Sequence, residues 1–163
     1  MSWIPLPRRG ERLTREPIAV SVLFVDGGNS CLSIMAEAIF NHLAPQGWLA
    51  SSAGYQPAKD VHLRVVSLLS RYAIPTHLLK PKPIEHVFLK PQKVITFCED
   101  SALLNSVRSI SGQDAVCWPI SDPDEATGTH DELDLAFLKS FRQLELAIGE
   151  LIDNLRPASQ TTG

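Results

Sequence analysis

Positive charge is in short supply in this chain: 15 lysines and arginines stand against 18 aspartates and glutamates, a formal charge of −3 at pH 7. That balance gives no broad electropositive field of the kind that holds nucleic acid or an anionic membrane, and neither is expected as a partner. Long apolar runs are also lacking. Nothing after the arginine-bearing start is long and apolar enough for a signal peptide or a membrane span. Cysteine is scarce, and Cys31, Cys98 and Cys117 form an odd, irregularly spaced set with no CxxC pair. This excludes a disulfide framework and makes a reducing cytoplasm the expected location. His42, His62, His77, His86 and His130 are scattered without metal-ligand spacing, so no structural zinc site, other metal or cofactor is expected.

What is present is an apolar fraction of 44% over 163 residues, enough for a single domain with one core. Residues 1–17 carry three prolines and Arg8, Arg9, Arg12 and Arg15 without periodicity. They read as an extended or disordered arm, with docking through Trp3 as the alternative. The domain is placed at residues 18–157 and a tail at 158–163. Ile18 to Val25 is short, apolar and β-branched, and Asp26-Gly27-Gly28-Asn29 stops it, the pattern of a buried strand feeding a tight loop. From about Cys31 to Leu43, the residues Met35, Ala36, Ile39, Phe40 and Leu43 recur at helical spacing, ending before Pro45. Further strands are predicted at about Leu49 to Ala53, Lys93 to Cys98 and Ala115 to Trp118. Helices are predicted at Val61 to Tyr72, on Leu63, Val66, Leu68 and Leu69, and at Ser101 to Ser109. A last helix, Glu132 to Leu155, is predicted with Leu135, Leu138, Leu144, Ile148, Leu151, Ile152 and Leu155 inward. Leu79 to Pro91, with Lys80-Pro81-Lys82-Pro83, reads as irregular apart from one helical turn near Ile84 to Phe88. Alternating strands and helices imply an α/β fold with a parallel sheet, whose ligands gather at the C-terminal strand ends, where the loop after the first strand lies.

The run Val25-Asp26-Gly27-Gly28-Asn29-Ser30-Cys31-Leu32-Ser33-Ile34-Met35-Ala36-Glu37 closely resembles the signature V-C-x-G-N-[ST]-C-R-S-x-M-A-E of low-molecular-weight tyrosine phosphatases and the related arsenate reductases. Ser52-Ala53-Gly54, Val94 to Cys98, Trp118, Asp122-Pro123 and Gly128-Thr129 match in register too, so the resemblance covers roughly Ile18 to Leu155. It implies a three-layer sandwich, a four-stranded parallel sheet with helices on both faces. It also implies an anion-binding loop of Gly27, Gly28, Asn29, Ser30, Cys31 and Ser33, and a general acid at Asp122. Finally, it implies a nucleophilic cysteine and an oxyanion-gripping arginine at positions that here hold Asp26 and Leu32.

A carboxylate is a weaker nucleophile than a thiolate and sets negative charge where a phosphate must approach. Two unit charges about 4 Å apart at an effective dielectric of about 20 repel by roughly 4 kcal/mol. By the same resemblance, Cys98 lies where thioredoxin-linked reductases keep a resolving cysteine, but the next relay position holds Asn105, so an arsenate relay is broken twice. Cys117 reads as a small core residue. The chain is therefore read as a catalytically impaired relative, a pseudoenzyme whose partner is an anion or a protein. Two alternatives stand beside it. One is altered chemistry through Asp26 as acyl-phosphate nucleophile or Cys31 as a redox thiol at the helix N-terminus. The other is a structural subunit that makes contact through Lys80 to Pro83 or the arm. Asp122 also reads as a turn-forming Asp-Pro pair. Gly27, Gly28 and Asn29 suit positive-φ backbone. An aspartate reaches further than a cysteine, so the Asp26 carboxylate is expected to accept the loop's own N–H bonds, fill the phosphate position from inside and titrate below its ordinary value.

Overall fold

The computed structural model describes residues 17–87 and 90–157. The arm, apart from Pro17, and the tail lie outside the described residues. Strands β1 (Val20–Asp26), β2 (Trp48–Gly54), β3 (Lys93–Thr96) and β4 (Val116–Cys117) pair in parallel in the order β2-β1-β3-β4. Central β1 is apolar on both faces for a reason visible in the packing. Val22 and Phe24 join a core with helices α1 (Leu32–Leu43), α2 (Leu63–Arg71) and α4 (His130–Leu155). Leu23 and Val25 join a second core with α3 (Ser101–Ser111) through Leu103 and Val107. The neighbours of β1 are reached in opposite directions, so a switch point opens beyond Asp26. The register Asp26↔Gly54 sets the loop after β1 beside the end of β2.

Several predicted details are corrected. Ile18 precedes β1 and is exposed, and Leu63 and Leu135, assigned to inner faces, are 82% and 65% exposed. The buried residues of α2 are Val65, Leu68 and Leu69, and those of α4 include Phe137 and Phe141. Aromatic stacking decides this face: Phe137 lies on His62 and Phe141 on Tyr72, both with centroids 4.7 Å apart. Helix α4 also starts earlier than Glu132. Thr129 caps it by accepting from the Glu132 N–H at 3.3 Å while the Glu132 carboxylate accepts from the Thr129 N–H at 2.7 Å. Helix α3 runs on to Ser111 and ends at Gly112, whose φ of 70° lies in the left-handed region that glycine adopts most readily. The predicted turn after Pro83 is a single 3-10 turn, Ile84–His86. Cys117 is half-buried, because β4 is a two-residue edge strand covered on one side only.

Candidate functional site

The loop leaves β1 at Asp26 and enters α1 at Leu32. Its carbonyls at Asp26, Gly27, Gly28 and Ser30 accept from the N–H groups of Tyr55, Gln56, Ala58 and His62, at 3.0, 2.8, 2.8 and 3.1 Å. The segment after β2 thus ties down the outer side of the loop. Asp26 gathers N–H groups from the loop and the helix start. Its Oδ1 accepts from the Asn29 N–H at 2.6 Å and its Oδ2 from the Ser33 N–H at 2.8 Å. The first turn of a helix leaves such N–H groups without intrahelical acceptors, and here a side chain from the preceding strand supplies one.

Asn29 is the one loop residue in the left-handed region, with φ 50°, so the expectation of positive φ at Gly27 and Gly28 is corrected. Its side chain explains the conformation. Nδ2 donates to the Ser33 and Ser52 hydroxyls, each at 2.9 Å, and Oδ1 accepts from the Lys82 N–H at 2.9 Å, with no exposed surface left. The Ser52 hydroxyl in turn donates to the Glu37 carboxylate, which also lies 3.6 Å from Lys82 Nζ. β2 touches the loop directly as well. A Cβ on Gly54 would stand 2.9 Å from Asn29 Cβ and 3.0 Å from the Gly27 oxygen. Gly54→Ala should therefore displace the loop and cost about 1–3 kcal/mol in denaturant unfolding, as overpacking does. A neutral substitution would show that the loop yields freely.

The expected fall in the Asp26 pKa is overturned: the carboxyl is raised from 3.8. Burial is the largest cause, and the N–H bonds from Ser33 and Asn29 oppose it without winning, while Asp122 adds repulsion. Two N–H donors do not replace the water that the enclosed carboxylate gives up. A carboxyl raised by folding contributes stability that is fully present below its unfolded value and is lost as pH rises through its folded value. As pH rises from about 4 through the raised folded value, the natural chain should lose stability relative to Asp26→Asn, measured as the difference between their unfolding free energies at each pH. An unchanging or inverted difference would contradict the burial of this charge.

Leu32, at the first residue of α1, is 2% exposed and packs in the larger core. Ser30 is half-buried and its hydroxyl donates to Cys31 Sγ at 3.8 Å. Cys31 is buried, and its thiol is pushed up to about 12, first by burial and then by the charges of Asp122, Asp124 and Asp26, against the Ser30 bond. It is not the activated thiol that a redox role at a helix N-terminus requires. Asp122 accepts from the Asp124 N–H at 3.0 Å and caps the 3-10 turn Pro123–Glu125, as an Asp-Pro turn former does. Its carboxyl too is raised, mainly by burial, and acts on both Asp26 and Cys31. His62 joins these parts. Its Nδ1 accepts from the Arg64 N–H at 3.1 Å at the start of α2, and its Nε2 lies 3.3 Å from Asp124. Cys98 lies beyond the end of β3 and Asn105 is exposed on α3.

A parallel sheet with helices on both faces, and a loop at its switch point that gathers backbone N–H groups, define an α/β protein of the phosphate-loop kind. The family model for low molecular weight phosphotyrosine protein phosphatase matches residues 21–160, and the chain belongs to that family. Among solved structures it is similar to the arsenate reductase of Archaeoglobus fulgidus, with TM-score 0.66 and 28% identity over 81% of this chain and 98% of that one. It is also similar to the low molecular weight protein tyrosine phosphatase of T. tengcongensis, with TM-score 0.67 and 24% identity over 84% of this chain and 100% of that one. The thioredoxin-dependent arsenate reductase of Corynebacterium glutamicum has TM-score 0.64 and 24% identity over 86% of this chain and 63% of that one, and at this identity it and the preceding structure share the fold. No curated protein sequence matches the chain.

Sequence reasoning gave no loop-bracing role to Glu37, His62 or Lys82, the last named only within the candidate contact segment Lys80 to Pro83. Ser52 and Glu37 fell within matching motifs, a usable signal. Lys82 carried none, because it meets Asn29 across 53 positions of chain.

Proposed function

We propose that this family member is catalytically silent and acts by binding, with a protein surface as its partner in preference to a free anion. The observation that carries the reading is the Asp26 carboxylate bonded to the N–H groups of Asn29 and Ser33. An incoming phosphate would have to displace the tethered Asp26 carboxyl, and wherever Asp26 and Asp122 are ionised it would also meet their repulsion, several kcal/mol at close range. Nor would it meet a guanidinium, since Leu32 points its side chain into the core. Losing a single transition-state donor of this type costs about a hundredfold or more in rate.

The same bonds weigh against Asp26 as an acyl-phosphate nucleophile. Each of its oxygens accepts an N–H bond, which draws electron density from it and fixes its orientation, so it is a weaker nucleophile than a free carboxylate. The test is hydrolysis of p-nitrophenyl phosphate by the natural chain with and without magnesium. Background rates are expected in both, and saturable turnover in either would overturn the proposal.

A further inference from the structure

Away from the loop, a groove of about 490 Å³ runs between α1, the outer edge of β2 and the segment after α2. This volume lies in the range of small-molecule sites. Ala38, Ala50 and Ile74 form a buried apolar floor, and Leu49 and Leu78 stand at the lip. Leu78 is 84% exposed, a large apolar side chain beside an apolar floor. Among the described residues Glu37 is the only carboxylate in the lining, with its side chain 15% exposed. His42 and His77 are exposed at the rim.

The groove cannot take an added strand. The Asn41 side chain already occupies the backbone of Ala50, donating to its carbonyl at 3.0 Å and accepting from its N–H at 2.8 Å. Lys82 covers the next stretch, its carbonyl accepting from the Gly54 N–H at 2.8 Å. Recognition here therefore works through side-chain-sized groups. Glu37 leaves one oxygen for such a group. Ser52 and Lys82 both contact Oε2, while Oε1 has no partner among the described residues. No fully buried side-chain polar atom among those residues is left unpartnered, so Oε1 keeps some contact with solvent. Lys82, at 3.6 Å, compensates the carboxylate only in part, and burial raises the Glu37 pKa.

We propose that this groove is a binding site for a small amphiphilic amine, its apolar body on the Ala38, Ala50 and Ile74 floor and its ammonium group on Glu37 Oε1. The site is independent of the loop's silence. Through Ser52 and Asn29, however, it is wired to the loop, so occupancy should also be felt at the Asn29 side-chain amide.

The test is a titration of the full chain with phenethylamine, phenethyl alcohol and hydrocinnamate, followed by backbone and methyl NMR. The amine should bind saturably, shift Ala38, Ala50 and Ile74, and bind about tenfold more tightly than the other two, as one charge-assisted contact provides. Glu37→Gln should reduce the amine to the level of the alcohol. Because Glu37 also braces the loop, Leu49→Lys serves as a second variant, at an exposed position. It should weaken the amine several-fold more than the alcohol, because only the amine meets a like charge; an equal loss for both would count against the ammonium contact. Equal or tighter binding of the alcohol or the acid, or shifts confined to other surfaces, would overturn the assignment.

Discussion

The double variant Asp26→Cys, Leu32→Arg should hydrolyse p-nitrophenyl phosphate at least about a hundredfold faster than the natural chain. The loop backbone is held from several sides. The loop carbonyls are tied outward by Tyr55, Gln56, Ala58 and His62, and Asn29 is locked by its own side chain. A thiolate at position 26 would inherit the N–H groups that now bind the carboxylate, and because those two donors do not outweigh burial, its ionised, nucleophilic form also needs the positive charge of the arginine at position 32. An arginine at position 32 starts from the first helical residue, where the loop meets α1, and burying its charge is costly, so its side chain should leave the core and turn to the loop. The single variants should stay near background for separate reasons. Asp26→Cys alone lacks the cationic clamp, and Leu32→Arg alone would be neutralised by Asp26. A folded double variant with no gain in rate would show that the loop has lost its catalytic shape as well as its reacting groups.

Asn29→Ala should be the most destabilising substitution in the loop, at about 3–5 kcal/mol. The side chain has no exposed surface and takes part in three hydrogen bonds, to Ser33, Ser52 and the Lys82 N–H. Each partner left unsatisfied in a buried place costs about 1–3 kcal/mol, and water cannot readily replace the amide. The backbone adds to this, since alanine at φ 50° is strained by about 1 kcal/mol where asparagine and glycine are not. Asn29→Gly should therefore be less damaging than Asn29→Ala by about that amount. Urea unfolding of both variants measures the pair. A loss under about 1 kcal/mol for the alanine variant would mean that the network does not hold the loop.

The sequence makes the fold legible because its signals are local. IAVSVLFV has no polar alternation because β1 is buried on both faces, and the run from Asp26 to Glu37 is short enough to read as one motif. The resemblance that sets Asp26 and Leu32 at the nucleophile and arginine positions rests on that same short run. Two kinds of information were not. Leucine counting failed where aromatic stacking on neighbouring elements chose the buried face, as with Phe137 and Phe141 against Leu135. The Asp26 pKa was misjudged in sign because the motif reveals the N–H donors but not the enclosure around them, and here burial outweighs two hydrogen bonds. The bracing by Lys82 was invisible for a simpler reason: an irregular segment reaching the loop across the end of β2 leaves no periodic trace.

The most direct measurement is a titration with inorganic phosphate, followed at the backbone amides of Asn29 and Ser33, in the natural chain and in Asp26→Ala. If the tethered carboxylate fills the anion position, those amides should stay still in the natural chain and shift saturably in the variant. Saturable shifts in the natural chain, of the size seen in the variant, would contradict the account and return the loop to the working phosphate sites of its family.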